Sequence, residues 1–140
     1  MKKGHLILLS ILFIILSACS RYDNNPKFNL LSVKTRIVKS WELSSYISNG
    51  SDQTDNYLTL YPSYELDLTD ENTYSETGNI PIIGTSWENT GDWVFSDDKS
   101  QIIFTGEKVG TYTITKLTSD ELWYQEEDGN NVYEFHFSVK

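Results

Sequence analysis

The chain has little of what most catalytic and metal centres are built from. Its 140 residues include one cysteine, Cys19, and two histidines, His5 and His136. A single thiol excludes an internal disulfide framework, so the folded part must be stabilised by its core. His136 lies on the polar parity of the last alternating segment, where a solvated side chain is expected, and His5 stands at the other end of the chain. With no Gly-x-Ser-x-Gly, nucleophilic hydrolysis lacks its parts. A transition-metal site lacks its soft donors. Positive charge is also scarce: 11 Lys and Arg against 20 Asp and Glu give a formal net charge of −9. A chain of that sign cannot track nucleic-acid phosphates, which demand Lys and Arg. No catalytic residue, no metal and no cofactor is assigned from the sequence.

The carboxylates do not fill the gap. Asp70-Glu71, Asp97-Asp98 and Glu126-Glu127-Asp128 each sit in a turn-like stretch. None has the spacing of a calcium loop. Asp is expected in turns because its side chain bonds the backbone there.

What the sequence does have begins at its start. Met1 to His5 is short and basic, and Leu6 to Leu16 is apolar apart from Ser10. Leu16-Ser17-Ala18-Cys19 follows. A basic segment, an apolar segment and small residues make a secretory signal, and the apolar run is short of the roughly 20 residues that span a bilayer. Leu-Ser-Ala-Cys resembles a bacterial lipobox. The resemblance implies that residues 1–18 are removed and that Cys19 carries lipid tying the chain to a membrane. Two or more acyl chains make such an anchor stable. Loss of Lys2 and Lys3 with the signal takes the formal charge from −9 to −11. Ser20, rather than an acid, follows Cys19, and only Asp23 is acidic nearby, so the expected place is the outer membrane, facing the periplasm.

Residues 19–33 read as the lipidated N-terminus and a tether, with the breaker cluster Asp23-Asn24-Asn25-Pro26. Residues 34–140 read as one domain. Four Trp, eight of the nine Tyr and four of the six Phe give it ample apolar surface. Its period is two, with hardly any helical repeat. Ile37, Trp41, Leu43 and Ile47 share one parity and predict a first strand. Tyr57 to Tyr61 is a short apolar stretch. Tyr64, Leu66 and Leu68 alternate with acids, and Thr73 to Thr77 is a short strand. Ile80 to Ile83 suits an edge or loop around Pro81. Trp87 begins a strand that Asn89-Thr90-Gly91-Asp92 closes. Trp93 to Phe95, Gln101 to Thr105, Thr111 to Leu117 and Leu122 to Gln125 follow, each bounded by turn residues. Asp128-Gly129 marks a hairpin before Tyr133, Phe135, Phe137 and Val139. Eight or nine short strands at regular spacing predict an all-β fold: a small antiparallel up-and-down β-barrel of about eight strands.

Four segments in order are similar to the lipocalin-like domain lipoproteins of the Bacteroidetes type. They are Val38 to Leu43, Leu66 to Tyr74, Gly91 to Asp98 and Tyr112 to Leu122. Lys39 stands where the first Gly of that pattern would be, and Glu71-Asn72 replaces Asp-Gly. The resemblance implies a lipocalin-like barrel and no particular activity.

Strand parity assigns Trp41, Leu43, Leu66, Trp93, Phe95, Ile114 and Phe137 to the barrel core. Trp87, Trp123, Tyr112, Tyr133 and Phe135 are the candidates for touching a ligand, with Trp87 and Trp123 near the barrel mouth. The expectation is a lipid-anchored, non-enzymatic binding protein with a small apolar or amphipathic ligand in its barrel. The alternative is a packed barrel that binds an envelope protein or a glycan through its rim loops. Bulky inward residues favour packing, and small ones would leave a cavity.

Overall fold

Where alternate side chains are apolar, one face of a strand is driven out of water and the other is left in it. A computed structural model describes residues 31–140. Residues 1–30, with the expected signal, Cys19 and most of the tether, lie outside the described residues.

The elements, in order, are α1 (Val33–Ile37), β1 (Ser40–Ser48), β2 (Ser51–Asp52), α2 (Thr54–Leu60), β3 (Glu65–Leu68) and β4 (Thr73–Ile80). A 3-10 turn (Pro81–Ile83) leads to β5 (Thr85–Phe95), β6 (Gln101–Gly106), β7 (Gly110–Leu117), β8 (Glu121–Asp128) and β9 (Asn131–Val139). All strand pairs are antiparallel, in the order β2-β1-β3-β4-β5-β6-β7-β8-β9, and β9 pairs back onto β1. Apart from the two-residue spur β2, the strands close an eight-stranded up-and-down barrel, and closure removes the free edges of the sheet.

One end, the base, is sealed by α1, and the end opposite is the mouth. Ser32 caps this helix by accepting from Thr35 N at 3.0 Å. Ile37 is fully buried beneath Trp41, whose Nε1 donates to Ile37 O at 2.8 Å. Arg36 reaches across to donate to the carbonyl of Leu117.

The edge of β1 is shared along its length. Residues 40–42 pair with β3 and residues 47–48 with β2. Between them Leu43 N donates to Tyr64 O at 2.9 Å, and Tyr46 N donates to Thr54 Oγ1 at 3.0 Å. The first residue of α2 thus stands in for a missing strand. Its partner turn is Asn49-Gly50, with φ of 51° and 76°. Two positive φ values define the type I′ hairpin that Asn-Gly favours.

The core is filled. Trp41, Leu43, Leu66, Trp93, Tyr112, Ile114 and Phe137 are all buried, with Tyr64, Leu68, Tyr74, Ile102, Phe104, Leu117, Leu122 and Tyr124 beside them. Phe95 and Phe135 are half-buried against this cluster. Each such ring removed from water contributes about 1.5–3 kcal/mol.

Four local expectations are corrected. Ile37 ends a helix rather than opening a strand. Ile47 leaves the inner parity because β1 bulges between Leu43 and Ser45, so Tyr46 takes the inward place. Tyr57 to Tyr61 falls largely within α2, which hydrogen-bonds Tyr57 N to Gln53 O at 2.9 Å. Asn89-Thr90-Gly91-Asp92 is not a turn: β5 runs unbroken for 11 residues.

A candidate site at the wide mouth

β4 and β5 carry a polar pair into the apolar interior. Tyr74, Glu76 and Gly78 share the inner face of β4, and Glu76 is 3 % exposed. Opposite it, Asn89 of β5 donates from Nδ2 to Glu76 Oε2 at 3.2 Å. Tyr64, just before β3, donates its hydroxyl to Glu76 Oε1. The fourth group, Lys108, descends from the β6–β7 turn to form an ion pair with the same oxygen. A buried carboxylate without its partner is costly, and removing one side of such a pair costs about 3–5 kcal/mol.

Tyrosines surround this carboxylate. Burial raises the Tyr64 hydroxyl well above its ordinary value of 10.0, and the charges of Tyr124 and Glu76 add to that. Burial raises Tyr124 likewise, with Glu76 the next cause. Tyr57 and Tyr112 are raised for the same first reason. These rings stay neutral donors over the ordinary pH range.

Above the pair lies a cleft of about 390 Å³, lined by Tyr57, Tyr61, Tyr64, Ile80, Trp87 and Asn89. α2 supplies its outer wall. Tyr57 packs on Tyr61 at 5.1 Å, and Trp87 meets Tyr64 edge-on at 5.5 Å between ring centres. Trp87 Nε1, Trp93 Nε1 and Tyr124 Oη are buried and have no hydrogen-bond partner among the described residues. Buried donors of this kind are rare in folded proteins.

The five ligand candidates separate. Trp87 lines the mouth. Tyr112 is buried below it, 4.8 Å from Tyr124. Tyr133 and Phe135 are half-buried on β9, each against Tyr46, at 6.4 and 5.2 Å. Trp123 is elsewhere: it lies on the outer face of β8, between the buried Leu122 and Tyr124. There it stacks on His136 at 4.0 Å, with Lys116 Nζ 4.1 Å from its ring centre. The mouth placement expected for Trp123 is therefore corrected. His136 is on the same outer face, 3.2 Å from Glu134.

Sequence reasoning missed Glu76, Lys108, Tyr61 and Asn89 as site residues. The alternation Tyr74, Glu76, Gly78 carried a signal for Glu76, since it places an acid on the aromatic parity. Lys108, in a turn, carried none.

In comparison with known proteins, the chain matches no family model and no curated protein.

Proposed function

We propose that the chain is a non-enzymatic binding protein of the bacterial cell envelope, held to the outer membrane by lipid on Cys19 and facing the periplasm. Its ligand, a small amphipathic molecule, docks in the wide mouth. The observation that carries this reading is the aromatic cleft above Glu76, walled by Tyr57, Tyr61, Tyr64 and Trp87. Its volume falls in the range of small-molecule sites. Because large side chains fill the barrel depth, the ligand sits across the mouth and is not swallowed by it. The four lipocalin-like segments and the lipobox support the envelope setting.

A second reading, an envelope protein or glycan bound through the rim, is favoured by one observation. Ile82, Ile83 and Val109 are 77 %, 67 % and 77 % exposed on two loops of the mouth.

Native mass spectrometry of protein extracted mildly from its own membranes tests the first reading. The expected result is a discrete extra mass beyond the Cys19 lipid, lost in Trp87→Phe. A Cys19→Ser form should appear in the soluble fraction. A clean unliganded mass, together with envelope proteins cross-linked at Ile82, would move the conclusion to the second reading.

A further inference from the structure

Lys108 occupies a place that suits a ligand. Its ammonium lies 5.1 Å from the centre of the Phe104 ring, 4.8 Å from Tyr112 and 5.8 Å from Tyr124. Its ion-pair partner is Glu76, and the side chain is only 12 % exposed. Lysines rarely leave water this way, since the stem usually lies on the surface with the charge outside. Three ring faces and one carboxylate around a single cation form the cage that recognises organic ammonium ions.

The cage does not need Lys108 to stay formed. Glu76 keeps its bonds from Tyr64 and Asn89. The rings belong to β6, β7 and β8. The backbone of Lys108 is pinned: its N donates to Tyr74 Oη at 2.7 Å, and its O accepts from the same hydroxyl at 3.3 Å. Glu107 beside it accepts from Thr90 N at 2.7 Å. The rim can stay in place while the lysine side chain rotates out through its own torsions.

We propose that the mouth binds an organic ammonium ion, whose cation replaces that of Lys108 between Glu76 and the three rings. Lys108 is then an internal stand-in that keeps Glu76 paired when no ligand is bound. This rests on the reading of the mouth as a binding site, and names its ligand class. The apolar part of the ligand would run along Tyr57, Tyr61 and Trp87. The chain's net charge of −9 draws cations towards it. Glu126 adds negative potential close to Tyr112. A hard metal ion suits this site poorly, because it needs about six oxygen ligands and the cage offers mostly ring faces.

The test uses n-propylammonium, which replaces the part of the lysine side chain beyond Cβ, and n-propanol as its neutral match. Both are titrated into wild type, Lys108→Ala and Lys108→Ala/Glu76→Gln, with amide NMR shifts and Tm as readouts. The cation should saturate shifts around the cage in Lys108→Ala and raise its Tm. Wild type should bind more weakly by about a hundredfold or more, because its own lysine must first leave Glu76. Propanol should do neither, and the double variant should lose the response. If Lys108→Ala does not fold alone, refolding in propylammonium but not in propanol reports the same cage. Indifference of wild type and variant to the cation overturns the proposal. So does an equal response to propanol, or a response that survives in the double variant. Binding by Lys108→Ala with none by wild type also overturns it, since Lys108 would then be a permanent part of the fold. An endogenous mass on a protein that ignores ammonium ions would remove this inference and leave the mouth reading standing.

Discussion

Trp87 lies against the bare backbone of Gly78, its register partner across β4 and β5: a Cβ added at Gly78 would fall 2.8 Å from the indole. No tryptophan could hold that position over a side chain. Gly78→Ala should therefore push Trp87 off the mouth. The expected cost is about 1–3 kcal/mol, the usual range for overpacking. Urea unfolding reads the cost, and tryptophan emission and loss of the bound mass read the displacement. Unchanged emission and unchanged stability would mean that the ring does not rest there.

Thr54 holds together the one place where β1 lacks a strand neighbour. Its hydroxyl accepts from Tyr46 N at 3.0 Å and lies 3.0 Å from Ser45 Oγ. Thr54→Val keeps the shape and removes the acceptor. It should cost about 1–3 kcal/mol by leaving a half-buried amide unpaired. Hydrogen exchange should quicken at Tyr46 and much less at Leu43, whose N–H is held by Tyr64 O at 2.9 Å.

Alkaline pH should unfold the barrel through its tyrosines. Tyr64 and Tyr124 have folded values raised above the ordinary 10.0. Their support is whole below that value and is lost as pH climbs from it towards the folded values. Tyrosinate absorbance and circular dichroism followed together should show these two rings ionising only as the sheet melts. Tyr124→Phe removes a hydroxyl with no partner and should leave neutral stability unchanged or slightly raised. It should also move the alkaline midpoint upward.

Acid acts at the β5–β6 turn. Asp98 accepts from Ser100 N at 3.0 Å and from Ser96 Oγ at 2.7 Å, which hold its carboxyl down from 3.8 to about 2. Its contribution is present above the unfolded value and is lost as pH falls from 3.8 to about 2. Asp98→Asn should be less stable than wild type at neutral pH, and the gap should close as pH falls through the folded value. A urea series at several pH values reads this directly. A difference that persists in strong acid would point to some cause other than charge.

The barrel was legible because its strands alternate over long enough runs to choose a face. Of the seven core residues assigned from parity, six are buried and Phe95 is half-buried, and β6 to β9 follow the turn residues closely. What escaped was local geometry that parity cannot express. One bulged residue in β1 moves Tyr46 inward and Ile47 outward. A second bulge, between Ile114 and Lys116, lets Leu117 rejoin Ile114 in the core. α2 is too short for a helical repeat to be seen, and it owes its place to the gap in β1. Asn89 to Asp92 has turn composition, yet all four residues pair with β4, and Gly91 and Asp92 also with β6, and ladder hydrogen bonds override that preference. The candidate site was half visible. Its aromatic residues stood out by composition, but the acid that organises them looked like one more surface charge.

The capping of the base by α1 has a consequence for how the protein meets its surroundings. The chain enters the barrel at its closed base, where Lys34 Nζ bonds Asp70 O at 2.8 Å and Arg36 bonds Leu117. Leu31 therefore stands at the foot of a cup whose open rim lies at the opposite end. A molecule that reaches the rim need not pass the point where the chain enters.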